Sequence, residues 1–183
     1  MSRLPAVTRD QLSPEHQKIW DRIAAVRVGV RTGAGGPFGV LMHLPALADR
    51  VAALEDYFRF DAALPAADRE LVVLAAAREM GARYAWVRHE ARGREVGTRV
   101  EAIEIVRANG SLERLKPRER LLVEIVRALL RERRLPDELF TRALAELSRQ
   151  QLIETVVLTG HYGLVALVVN GFDIAAPEGS VTF

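Results

Sequence analysis

The sequence predicts an all-α protein: a multi-helix bundle of about eight or nine helices forming one domain over residues 1–183. Three observations carry that prediction. Apolar residues recur at helical spacing along most of the chain, the periodic segments begin and end on capping residues, and no stretch alternates apolar with polar residues as a half-buried strand would. The composition agrees, with 49% hydrophobic and 27% charged residues, an ordinary globular mixture far from that of disordered chains. A chain of 183 residues buries a sizeable core without disulfides or a structural metal.

The first helix opens at Ser13-Pro14-Glu15, an N-cap followed by a proline at the first helical position and an acid in the first turn, and Ile19, Trp20 and Ile23 continue at helical spacing. Gly29 to Pro37 reads as a loop. Its Gly33, Gly35 and Gly36 suggest a phosphate cradle only superficially, because no strand precedes them. Pro45 opens a long helix with Leu47, Val51, Leu54 and Phe58 on its apolar face, ended by Leu64-Pro65. Ala66 to Met80 follows, with Gly81 as its C-cap, then Ala82 to Val96, stopped at Gly97. Thr98 and Glu101 read as a capping box for the helix of Val100, Ile103 and Val106, which Asn109-Gly110 closes. Pro117 to about Arg133 and Pro136 to Leu147 are two further helices, and Ser148 with Gln151 is the capping box of the last. That final helix is apolar on nearly every side, so it belongs at the centre of the core or at a subunit interface. Val181 to Phe183 is the one candidate edge strand, and it is too short to count.

The composition also excludes functions. Zero cysteines remove disulfides, thiolate metal sites and cysteine nucleophiles together. The formal charge is only +2, with Lys and Arg interleaved with Asp and Glu, so no basic stripe invites nucleic acid. The apolar run Leu152 to Val169 is broken by Glu154, His161 and two glycines and reads as a buried helix, so no membrane partner is expected. Met1 to Gln11 has no apolar signal region, which leaves a cytoplasmic location as the expectation. The four histidines form no His-x-x-x-His or Glu-x-x-His pair, so no metal site is expected, and no serine has the setting of a nucleophile elbow.

One segment is specific. Leu64-Pro65, Arg69-Glu70-Leu71-Val72 and Leu74, followed by Gly81-Ala82-Arg83-Tyr84-Ala85-Trp86-Val87-Arg88-His89 and Gly97, resembles the signature of the carboxymuconolactone decarboxylase / alkylhydroperoxidase-D family, in its Tyr-x-Trp-x-x-His branch. Flanking stretches, Gly36-Pro37-Phe38 with Leu41 to Pro45 upstream and Gly160, Tyr162 and Leu164 to Ala166 downstream, are similar too. The resemblance implies a helical bundle of the alkylhydroperoxidase-D type and a homo-oligomer, a trimer or hexamer. In the thiol-peroxidase branch a helical Glu precedes Cys-x-x-Cys-x-x-x-His and relays protons to the thiols. Counted back from His89, the two cysteine positions fall on Ala82 and Ala85, and the glutamate falls on Glu70. The acid and the imidazole remain while both thiols are gone, so peroxide reduction, which needs a thiolate, is not expected.

The residues themselves allow a bland reading beside that one. Positions 82, 85, 89, 93 and 96 share a helical face, whose small side chains either floor a pocket around His89 or let another helix approach. Glu70 is either an acid in a first helical turn, favoured by the helix dipole, or the group that orients His89. With the resemblance, Glu70 and His89 become the catalytic pair, and Ala82, Ala85, Trp86, Tyr84 and His161 the pocket lining. Trp86 is otherwise a core residue, Tyr84 projects from nearly the opposite side of an ideal helix, and His161 beside Tyr162 reads as a core histidine with its hydrogen bonds met. The expected chemistry is acid/base work on a small lactone or carboxylic acid with no bound cofactor. The alternative is a non-catalytic ligand-binding or structural member of the same family.

Overall fold

The computed structural model describes residues 2–27 and 35–183. Among them are nine α-helices and no strand: α1 (Pro14–Val26), α2 (Gly36–Leu41), α3 (Pro45–Phe60), α4 (Ala66–Glu79), α5 (Arg83–Glu95), α6 (Val100–Ala108), α7 (Pro117–Arg127), α8 (Asp137–Glu146) and α9 (Arg149–Gly171). Two of the expected caps form as read. Ser13 Oγ accepts the His16 N–H at 3.3 Å, and Ser148 Oγ accepts the Gln151 N–H at 3.1 Å while the Gln151 side chain returns to the Ser148 N–H. Each satisfies an amide left over at a helix start.

The Thr98–Glu101 capping box does not form. Arg99 is the N-cap of α6, and the Thr98 hydroxyl instead donates to the Ala67 carbonyl at 3.0 Å, pinning the turn before α6 to the first turn of α4. A buried hydroxyl takes whichever acceptor packing brings nearest, and here that acceptor lies on a neighbouring helix. The glycine-rich loop is corrected at its end, since Gly36 and Pro37 begin α2; the rest of that stretch, 29–34, lies outside the described residues. Proline suits a first helical turn, where its missing N–H costs nothing. Of the apolar face expected on α3, Val51 and Phe58 are buried whereas Leu47 and Leu54 stay exposed. The segment expected to run to Arg133 is α7 followed by a wider π-type turn, Ala128–Glu132, after which Arg133 turns left-handed at φ 60°.

Burial is organised around α4. Residues Glu70 to Ala77 are buried without interruption, so this helix is enclosed on all sides, and α5, α7 and α9 surround it. Its run of Ala and Val keeps the neighbours close. A smaller apolar cluster joins α1, α2 and α3 through Ile23, Phe38, Met42, Val51 and their neighbours. By length and composition α9 could cross a membrane, yet 61% of its most apolar stretch is buried inside the molecule. Leu152, Leu158, Val165 and Val169 face the core, while Ile153, Val157, Leu164 and Leu167 line an exposed apolar outer face.

Candidate functional site

Where the smaller cluster meets α5 and α9, a cleft of about 700 Å³ opens. Its walls come from the ends of α1 and α2 (Arg27, Phe38), from α3 (Glu55, Arg59), from α9 (Tyr162, Val165) and from a long stripe of α5. That stripe runs Tyr84, Val87, Arg88, Ala91 and Glu95, with Ala85, His89 and Arg92 along its inner edge. Behind it lies a chamber of about 10 Å³, lined by Phe58, Arg69, Glu70, Val73, Leu158 and His161. Glu55, Arg59, His89, Arg92 and Tyr162 border both spaces.

The Glu70 and His89 side chains meet directly despite nineteen positions of sequence between them, with Nδ1 of His89 2.7 Å from Oε2 of Glu70. α4 and α5 are consecutive and antiparallel around Gly81, which turns the chain at φ 66°, so Glu70, just past the first turn of α4, comes level with the middle of α5; the acid expected in a first turn is Asp68 instead. Gly93, one turn further along α5, faces Glu70, Leu74 and Thr98, and a Cβ there would be in ordinary van der Waals contact with all three. Glu70 is only 1% exposed. Burial alone would raise its carboxyl, but the hydrogen bond from His89 and the positive charges of His89, Arg92 and Arg69 outweigh it and hold Glu70 below the usual carboxylate range. The two guanidiniums stand 3.5 Å (Arg92) and 3.7 Å (Arg69) from Oε1. An ionised Glu70 only accepts, so Nδ1 of His89 carries the hydrogen.

The other ring nitrogen of His89 is engaged as well. Nε2 lies 2.9 Å from the Tyr162 hydroxyl, and the two rings stand edge to face with centroids 4.9 Å apart. Burial, reinforced by the negative charges of Glu55 and Glu70, pushes the Tyr162 phenol well above its ordinary value, so it is a neutral hydroxyl that donates to Nε2. The result is a continuous chain: Tyr162 O–H to His89 Nε2, then His89 Nδ1–H to the Glu70 carboxylate. Sequence reasoning did not assign Tyr162 to this chain; the only hint was a polar pair embedded in an apolar helix.

The remaining lining residues divide. Ala85 and Tyr84 are on the cleft wall. Tyr84 reaches it without any irregularity in α5, because the cleft follows the helix flank and spans more of its circumference than the face around His89. Its phenol also lies so close to Gly36 that a Cβ there would fall 2.9 Å from the ring, and Gly36 adopts φ 69°, so only glycine fits. Ala82 and Trp86 are not lining residues. Ala82 is the N-cap of α5 and is sealed in the core. Trp86 is fully buried on the far side of α5, donating to Glu90 at 2.9 Å and meeting Phe183 edge to face. The small-residue face is therefore split, with Ala82 and Gly93 admitting neighbours and Ala85 opening onto space. His161 borders the inner chamber, but neither of its ring nitrogens has a hydrogen-bond partner. The expectation of a satisfied histidine fails, because the neighbours facing its ring are Phe58 and the Tyr162 ring. Burial holds its imidazole below the ordinary value, with Glu55 opposing and His89 and Arg27 assisting, so it is neutral at pH 7.

Charge around the cleft favours anions. Arg27, Arg59, Arg69, Arg88 and Arg92 outnumber Glu55, Glu70 and Glu95. No group of three or more His, Asp or Glu suited to a metal occurs among the described residues.

Comparison with known proteins agrees with this architecture. No curated protein matches the chain. Among solved structures, an alkylhydroperoxidase AhpD core from Ralstonia eutropha JMP134, an uncharacterized peroxidase-related protein, superposes with a TM-score of 0.78 at 20% identity, covering 97% of this chain and 93% of its own. A protein of unknown function from Agrobacterium tumefaciens, described as a candidate antioxidant defence protein AhpD, gives 0.66 at 23% identity over 75% of this chain and 95% of its own. These likenesses establish the fold. Residues 45–128, the segment that contains α4, α5, Glu70 and His89, match the model of the carboxymuconolactone decarboxylase family.

Proposed function

We propose that this protein is a cofactor-independent acid/base enzyme, a decarboxylase or related lyase or isomerase, acting on a small lactone or carboxylic acid. The observation that carries the reading is the Glu70–His89 hydrogen bond at the wall of a cleft with an excess of guanidinium groups. A buried carboxylate beside an imidazole fixes its tautomer and orientation, which aims the other ring nitrogen for passing a proton. Loss of carbon dioxide from a lactone acid leaves an enolate. The imidazole side of the chain supplies the proton that quenches it, and a cleft arginine stabilises the anion before it is quenched. The second reading, a non-catalytic ligand-binding or structural member, is favoured by the packing of Ala82 and Gly93, where the small residues serve helix contact and not a pocket.

A thermal-shift panel of lactones, dicarboxylates and aromatic acids separates the two. A true ligand at 100 times its dissociation constant stabilises by about 2.7 kcal/mol. A shift that disappears in His89→Ala, with turnover of the same compound, supports the enzyme; a shift without turnover supports a ligand-binding member, and no shift with any compound supports the structural reading. Hydroperoxide turnover with any dithiol is expected to be absent, because Ala82 and Ala85 stand where the thiols would be. Reductant-coupled peroxide consumption above a heat-killed control would overturn this. A homo-oligomer, trimer or hexamer, belongs to the same proposal, since the outer face of α9 leaves Leu167 65% and Ile153 57% exposed. Light scattering should give a mass well above the 20.3 kDa of one chain.

A further inference from the structure

We propose that the Tyr162 hydroxyl, and not the His89 imidazole, is the group that exchanges a proton with the substrate, His89 acting behind it as its base and Glu70 as the orienting acid. The inference rests on the acid/base reading above and changes which atom does the work. Both nitrogens of His89 are occupied, Nδ1 by Glu70 at 2.7 Å and Nε2 by Tyr162 at 2.9 Å, so the ring has no free nitrogen to offer a substrate. The Tyr162 oxygen uses its one hydrogen on Nε2 and retains a lone pair, and Tyr162 borders the outer cleft. Acid, imidazole and hydroxyl within hydrogen-bond reach, in that order, form the arrangement in which a base activates a weakly acidic O–H and a third group holds the base.

Other groups near the phenol explain why it needs His89. Glu55 and Arg59 of α3, Arg69 and Glu70 of α4, Arg92 of α5 and His161 of α9 surround the same two spaces. Burial and the two carboxylates disfavour a free phenolate, so the proton leaves the oxygen only as another arrives. In the abstraction direction the phenol oxygen takes a proton from substrate carbon while its own passes to Nε2, giving imidazolium beside the Glu70 carboxylate. In the decarboxylation direction the site starts as imidazolium. The carbon–carbon bond breaks, carbon dioxide leaves, the phenol gives its proton to the enolate carbon, and Nε2–H replaces it. Solvent then returns one proton to the imidazole.

A test independent of any substrate is phenol sulfonylation by methanesulfonyl fluoride. An Oη–S bond forms, the S–F bond breaks, fluoride leaves, and Nε2 takes the proton. The chain's other two tyrosines are internal controls: Tyr84 lies on the same cleft with no hydrogen-bond partner for its hydroxyl among the described residues, and Tyr57 donates to Glu154 at 2.8 Å. Peptide mapping should find Tyr162 modified faster than Tyr84 and Tyr57, and His89→Gln should slow it by about 100-fold, the scale of one general base. Equal modification of Tyr84 and Tyr162, or a Tyr162 rate unchanged in His89→Gln, would overturn the proposal. Should the variant fold poorly, long-range proton–nitrogen NMR on the unaltered protein decides: hydrogen on Nδ1, with Nε2 bare or with both nitrogens protonated, supports it, and hydrogen on Nε2 alone defeats it. Neither measurement uses a lactone or a carboxylic acid, so a negative ligand panel and an inactive Tyr162 are separate results.

Discussion

Glu70 and Glu154 are both buried carboxylates held below the usual range, yet they belong to different machines. Glu154, on α9, accepts hydrogen bonds from the Tyr57 hydroxyl at 2.8 Å, the Ala63 and Leu64 amides at 3.0 and 2.8 Å, and the Gln150 amide at 2.9 Å. None of these donors titrates near neutrality, so the site is a fixed latch on the turn between α3 and α4. Glu70 is held by an imidazole and flanked by two guanidiniums. Similar burial thus gives a structural carboxylate where the donors are inert and, at Glu70, one bonded to an imidazole, the partner that the proposed acid/base chemistry needs. Burial of an acid says little until its donors are named.

The largest effect expected from breaking this contrast is in Glu154→Ala. It leaves the Leu64 amide buried without a partner and frees three other donors, and at roughly 1–3 kcal/mol for a stranded buried group the loss should reach about 3–5 kcal/mol by urea unfolding. The NMR signals of the His89 ring should keep their positions if the latch and the site are separate; their displacement would join the two regions. Glu70→Gln should cost less stability, about 1–2 kcal/mol, because the amide oxygen still accepts from Nδ1, but it should abolish any ligand-induced shift that depends on His89.

The same variant sharpens the pH behaviour. A carboxyl whose folded value lies below its unfolded value contributes stability that is full above the unfolded range, about 4.3, and is lost as pH falls through the folded value. Glu70→Gln should therefore flatten the stability curve below about pH 5 relative to the unaltered protein, and an identical acid slope would show that Glu70 is not the group responsible. The smallest change is expected at His161. Two unpartnered nitrogens in an apolar setting cost stability, so His161→Phe should be neutral or stabilising within about 1 kcal/mol. Its imidazole, depressed by burial, contributes stability that is present above its unfolded value of about 6.5 and lost as pH falls below it, a slope that His161→Phe should remove. A large loss on substitution would mean that His161 has a partner after all.

The helices and most of their caps could be read from the chain because each depends on local spacing, whereas the Glu70–His89 pair was legible only through the family resemblance, since spacing alone left Glu70 equally an acid near a helix start. What could not be read depended on which helix lies opposite. Residues 82, 85, 89 and 93 share a face by periodicity, but α4 lies against that face at Gly93, the core closes over Ala82, and the face opens at Ala85. Trp86 follows the same rule and turns inward. Tyr162 meets His89 across 73 positions, a contact set by how α9 crosses α5 that no local pattern encodes.

α9 carries both Glu154 and Tyr162, eight residues or about 12 Å apart along one continuous helix. A helix is stiff along its axis, so the rod that the latch anchors at one end aims the phenol at the other. Warming that loosens the Ala63–Leu64 turn would let the rod slide, and a slip of even 1 Å would carry the hydroxyl out of reach of the imidazole. On the acid/base reading proposed above, heat would then silence the site before it melts the bundle, setting an upper working temperature by alignment and not by unfolding.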